Sequence, residues 1–148
     1  MRVALDTNIL AYAEGLGDTR RCEQARVLLA ALPIDDTLVP AQVLGELSRV
    51  LTIKARRPAA EVREVVLAWA DSFEVAVSTW QDFQAALDLT VDHQTPYWDA
   101  LILAVAASHG CRMLISEDFQ AGCTWRGVTV VNPFIDPPSA LLGRLLAR

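Results

Sequence analysis

Apolar residues along this chain follow two alternating rhythms, and the alternation predicts an architecture. Short continuous apolar runs at 3–5, 37–39, 74–77, 112–115 and 128–131 read as strands. Between them the spacing lengthens to that of a helix. Over 18–32, Cys22, Ala25, Leu28, Leu29 and Leu32 share one face; over 40–53, Val43, Leu44, Leu47, Val50 and Leu51 do the same. Further helices are predicted at 7–14, 58–72, 79–91 and 96–108. Thr95 is placed to cap the last of these with Pro96 at its first position, Pro58 opens an earlier one likewise, and Gly110 after His109 is a stop signal. The 96–108 helix is apolar all round, which assigns it to the centre of the molecule.

Strands alternating with helices predict an α/β fold: a mainly parallel sheet with helices on both faces. The long helical stretch between the second and third strands is the part expected to project as an arm. Pro133 and Pro137-Pro138 mark the exit from the last strand, and 139–148 forms an amphipathic tail helix carrying Leu141, Leu142, Leu145 and Leu146. No repeat or low-complexity segment interrupts the chain. At 148 residues, 1–148 is expected to be one domain, with 133–148 as its tail.

Composition narrows the function classes. A hydrophobic share of 53% with 21% charged residues is that of a compact globular protein. A net charge of −5 argues against coating nucleic acid non-specifically, yet leaves room for a nuclease whose acidic site is offset by basic residues elsewhere. The 13 basic residues are twelve arginines and Lys54. Cys22, Cys111 and Cys123 are odd in number and lack a C-x-x-C pair, which fits a reducing compartment. The chain opens directly into a strand with no leader, and its longest apolar run, 100–107, is too short to span a bilayer. A cytoplasmic protein without a membrane role is expected.

Against this apolar background four acids stand out. Asp6 ends the first strand in Leu5-Asp6-Thr7-Asn8, where open parallel sheets bind ligands. It is equally placed to cap the following helix. Asp118, in Ser116-Glu117-Asp118, follows the fourth strand; if the two strands are neighbours at the switch point, these acids meet across the crevice. Glu117 competes for that role, although solvent is its expected direction. Asp99 is the sole charged residue between Asp92 and Arg112 and sits in the first turn of the central helix. The helix dipole favours an acid there by roughly 0.3–1 kcal/mol, which explains tolerance but not the choice of an acid. Glu46 lies on the flank of an apolar helical face, a position that a solvated glutamate can also fill. A buried unpaired carboxylate neutralises or finds a cation, so four converging acids call for a metal ion.

Leu-Asp-Thr-Asn, Glu46 on a helix, Trp-Asp-Ala-Leu-Ile and Leu-Ile-Ser-Glu-Asp-Phe, in that order, resemble the PIN-domain ribonucleases. Within them the pattern is most similar to the VapC-type toxins of type II toxin–antitoxin pairs. The resemblance runs from Val3 to about Asn132 and implies an α/β/α sandwich with a five-stranded, mainly parallel sheet. It implies Asp6, Glu46, Asp99 and Asp118 as the catalytic quartet, with Asp6, Asp99 and Asp118 on the metal and Asn8 and Ser116 as supporting polar residues. A cognate antitoxin and a homodimer are implied as partners, with RNA as substrate.

Hard oxygen ligands select Mg2+ or Mn2+, and His93 and His109, read as a loop residue and a helix-end residue, lack ligand spacing. Arg49 and Lys54 are the candidate RNA contacts, in a basic run completed by Arg56 and Arg57, which can equally be helix-end charges. Tyr97, Trp98 and Trp125 are assigned to core or rim packing ahead of base stacking. Housekeeping RNA processing and a catalytically idle binding module are the alternatives. A phosphoacceptor regulatory domain needs an aspartate after the third strand and a lysine after the fifth; Val77-Ser78-Thr79 and Val131-Asn132-Pro133 supply neither. A haloacid-dehalogenase phosphatase would carry aspartate where Asn8 stands.

Overall fold

The computed structural model describes residues 1–147. In chain order the elements are β1 (Val3–Leu5), α1 (Thr7–Ala13), α2 (Thr19–Ala31), β2 (Thr37–Pro40), α3 (Ala41–Ile53), α4 (Ala59–Ser72), β3 (Glu74–Ala76), α5 (Trp80–His93), α6 (Tyr97–Ser108), β4 (Met113–Ile115), β5 (Thr124–Trp125), β6 (Val128–Val131) and α7 (Ala140–Leu146). One sheet in the order β3-β2-β1-β4-β6-β5 is flanked by helices, with α1–α4 packed together and α5 against α6.

All five expected strands are present and mutually parallel, but the sheet has six. The addition is β5, antiparallel to β6 through a two-residue turn at Arg126-Gly127. Both turn residues have positive φ, 44° and 83°, the backbone a tight hairpin requires. Two residues are too few to show any periodicity, so β5 left no trace in the hydrophobic pattern.

The strands read as unbroken apolar runs because both their faces are covered. Val3, Ala4, Leu5, Met113, Leu114 and Ile115 are all fully buried. Helix α6 is the central helix its composition predicts: every residue from Ala100 to Ala106 is buried, and it touches β2, β4 and β6. Burying each of Leu101, Ile102, Leu103 and Val105 contributes about 1.5–3 kcal/mol, enough to anchor the one acid that α6 carries in its first turn.

Three helices begin one residue later than the sequence suggests. Pro40, Pro58 and Pro96 hold extended ψ angles of 137°, 140° and 138°, so each occupies the cap itself and Thr95 caps nothing. A proline cap has no side-chain acceptor, and none of the three makes a capping bond. Helix α5 instead starts with a full capping box between Thr79 and Asp82 and runs on to His93, which therefore ends a helix rather than sitting in a loop. Helices α3 and α4 form the arm, with α3 leaning on α1. The tail helix buries Leu142 and Leu145; Arg148, assigned to it from sequence, lies outside the described residues. Among the described residues no helix is long and apolar enough to cross a membrane.

Candidate active site

Strand order reverses between β1 and β4, which are paired with Leu5 opposite Ile115. That register brings the two strand ends side by side. The Asp6 amide donates to Ile115 O at 3.1 Å, and the Ser116 amide to Val131 O at 3.0 Å, so the ladder continues one residue past each strand. Asp6 and Ser116 are thereby fixed at the carboxyl edge, where a parallel sheet leaves its crevice.

Asp6 is only 2% exposed. Its Oδ2 accepts the Ser116 hydroxyl at 2.5 Å, and its Oδ1 accepts the Thr7 amide at 2.6 Å. Asp6 caps α1, and the same carboxylate reaches across to the next strand. Asn8 links the acids. Its Nδ2 donates to Asp118 Oδ2 at 2.9 Å and lies 3.4 Å from Asp6 Oδ2, while its Oδ1 is buried with no partner. Ser116 also accepts the Asp118 amide at 3.1 Å, fixing the turn that presents Asp118. Asn8 and Ser116 therefore stand where a supporting role puts them.

Glu46 arrives from α3 and Asp99 from the first turn of α6. Glu46 Oε2 accepts the Thr7 hydroxyl at 2.6 Å, and its Oε1 accepts Gln42 Nε2 at 2.6 Å. Asp99 is partly buried at the mouth. The four acids are near enough for their charges to act on one another. Burial lifts the Asp6 carboxyl to about 7, opposed by its bonds from Ser116 and Thr7 and reinforced by Asp118 and Asp99. Burial likewise raises Asp99, with Asp118 and Glu46 adding repulsion. Among the described residues, no three acidic, histidine or cysteine side chains are drawn tightly enough to close around a metal ion.

Two features nevertheless fit a divalent cation. The donor set is carboxylate oxygen, and it carries mutual repulsion that a cation relieves. The unpartnered Asn8 Oδ1, bonded through its own amide nitrogen to Asp118, is an acceptor left over in a buried place.

Glu117 does not turn to solvent. The Tyr12 hydroxyl donates to its Oε1, and Arg21 pairs with its Oε2 at 3.2 Å, so it is drawn away from the quartet. Burial and this acid together push the Tyr12 hydroxyl up to about 12, which keeps it a donor. Beside the acids lies a cleft of ≈ 570 Å³ whose lining includes Glu46 and Asp118 together with Arg49, Lys54, Tyr12 and Leu16. Arg57, in the same basic run, is committed elsewhere: it pairs with Glu14 at 2.8 Å and bonds the Glu14 carbonyl. Trp98 is 60% exposed at the rim with Tyr97 edge-on to it, and Trp125 lies under Arg126.

Sequence reasoning overlooked Thr7 and Gln42, the two donors that hold Glu46. Gln42 did leave a signal, because it precedes Glu46 by four positions on one helix and so shares its face.

A family model for the PIN domain matches residues 3–121, a span that contains all four acids. Among solved structures, VapC20 of Mycobacterium tuberculosis, a toxin that cleaves the sarcin–ricin loop, is similar at 24% identity over 76% of this chain and 86% of that one, with a TM-score of 0.61. A toxin–antitoxin complex from Klebsiella pneumoniae gives 21% identity, 89% and 98% coverage and a TM-score of 0.67. FitAcB from Neisseria gonorrhoeae gives 17%, 89% and 98%, and 0.63. No curated protein sequence matches the chain. At these identities the solved structures establish a shared fold.

Proposed function

The chain belongs to the PIN-domain family, and on that premise we propose that it is a metal-dependent endoribonuclease acting as the toxin of a toxin–antitoxin pair. The observation that carries the reading is the meeting of Asp6, Ser116 and Asp118 across the β1–β4 reversal, with Asp99 and Glu46 near enough to load the same place with charge. A purely structural cap would not need a second strand's hydroxyl on a buried carboxylate.

Asp6, Asp99 and Asp118 would hold Mg2+ or Mn2+, with Glu46 on the flank. Bound there, the ion supplies positive charge for the attacked phosphate and makes water more acidic. The protein's own residues supply the rest. Ser116 and Asn8 hold the Asp6 and Asp118 carboxylates by hydrogen bonds. Glu46, doubly hydrogen-bonded, would accept a proton from an attacking water. Arg49 and Lys54, in the lining of the same cleft, would hold the RNA backbone by its phosphates.

A small antitoxin covering this cleft, and a second copy of the chain, are the proposed partners. The arm offers them apolar surface, with Ile53 on α3 and Leu67 on α4 exposed. The similar structure from Klebsiella pneumoniae is a toxin–antitoxin complex, which supports an antitoxin partner.

The test is RNA cleavage by the purified protein. Cutting is expected with magnesium or manganese, none in chelator, and a loss of roughly 10²–10⁴-fold in Asp99→Asn. Undiminished cutting in chelator or in Asp99→Asn overturns the metal mechanism. Growth arrest on expression, relieved by a small protein encoded in the neighbouring reading frame, separates a toxin from a housekeeping nuclease.

A further inference from the structure

Glu46 is held more elaborately than a helix-flank carboxylate requires, and the holding reaches a second acid. The Gln42 amide nitrogen donates to Glu46 Oε1 at 2.6 Å and to the Trp98 carbonyl at 3.0 Å. Trp98 is the residue immediately before Asp99. One side chain on α3 therefore ties the Glu46 carboxylate to the first turn of α6, from which Asp99 projects. Both of those partners are acceptors, so the amide must present its nitrogen to them. The consequence falls on the other end, where Gln42 Oε1 is buried without a partner. An orphaned buried acceptor is a cost that a fold keeps only where the opposite end of the group has a task.

We propose that Gln42 is a positioning residue for the reaction: through its amide nitrogen it fixes Glu46 relative to Asp99. The assignment rests on the nuclease reading and deepens it. Glu46 and Asp99 are like in charge and are drawn toward each other through this one side chain. Neither has a basic partner within salt-bridge reach among the described residues. A neutral donor bonded to one acid and to the backbone carrying the other holds them together without cancelling either charge. Thr7 secures the second Glu46 oxygen from α1, so the carboxylate can neither rotate nor swing outward.

The experiment compares wild type, Gln42→Met, Glu46→Gln, the double variant and Asp99→Asn on a short RNA oligonucleotide in magnesium, under both steady-state and single-turnover conditions. Gln42→Met keeps length and loses the donor. It should lower kcat roughly 10–100-fold, as loss of a group orienting a site ligand does. KM should stay within about twofold, because substrate binding is not what Gln42 supports. In the Glu46→Gln background, adding Gln42→Met should change nothing further, whereas a merely structural role would cost activity in both backgrounds. Gln42→Glu, which keeps a polar side chain, guards against a folding defect in Gln42→Met; it should also lose kcat, and thermal melting reports the fold of each variant.

Full kcat in Gln42→Met and Gln42→Glu, or an equal further loss when Gln42→Met is added to Glu46→Gln, overturns the assignment while the nuclease reading stands. A wild type that cuts no RNA, or an Asp99→Asn variant as active as wild type, overturns the reading and Gln42's role with it.

Discussion

The acidic and the basic side chains at the cleft are held in opposite ways. Three of the four acids are over-determined. Asp6 is bonded by Ser116 and Thr7, Asp118 by Asn8 and the Ser116 hydroxyl, and Glu46 by Thr7 and Gln42. Of the basic residues, Arg49 and Lys54 are exposed, and no ion pair among the described residues engages either. Arg57 is the instructive exception: pinned by Glu14, it serves the fold instead. On the nuclease reading proposed above, the contrast separates chemistry from grip: the carboxylates are locked by their neighbours, and Arg49 and Lys54 are left long, charged and exposed.

The largest effect expected to test this contrast lies among the hydrogen-bonded acids. Ser116→Ala removes a hydroxyl that both donates to Asp6 and accepts from the Asp118 amide, and it should cost roughly 10–100-fold in kcat. Ser116→Thr retains the hydroxyl and should retain most activity; equal damage from both variants would mean that packing, not the bond, is what matters. A smaller effect belongs to the exposed basic residues. Arg49→Ala and Lys54→Ala should each raise KM several-fold, leave kcat alone and flatten the salt dependence of binding by about 0.7 per charge removed. A kcat loss there would erase the distinction.

The smallest effect concerns stability. Burial sets the folded Asp6 carboxyl at about 7 against 3.8 when unfolded, so the folded state holds a proton that the unfolded chain releases. Its stabilising contribution is complete below the unfolded value and is lost as pH rises through about 7. Metal-free wild type should therefore lose on the order of 1–3 kcal/mol relative to Asp6→Asn between acid and neutral pH. Magnesium near neutral pH should restore the wild type's melting temperature and leave Asp6→Asn unmoved. Parallel pH curves for the two proteins would show that Asp6 carries no such strain.

How much of this the sequence disclosed depends on the range of the interaction. Strand ends and helix faces are local patterns, so five strands, the central helix and the positions of Asp6 and Asp118 at strand ends could be read directly, whereas Asn8 and Ser116 entered through the family resemblance. Glu117 was misjudged because its partners, Tyr12 and Arg21, lie about a hundred positions away on α1 and α2, beyond any local rule. Strand β5 is held by the paired positive-φ turn after it, and only Gly127 hints at that conformation. The second acceptor of Gln42, the Trp98 carbonyl, is a backbone group that no side-chain pattern reveals.

The bond between Asp6 and Ser116 spans 110 positions. Protein synthesis delivers the first of these residues long before the second, so a growing chain on the ribosome carries acids with nowhere to assemble. The cluster closes only once β4 has emerged and can slot beside β1.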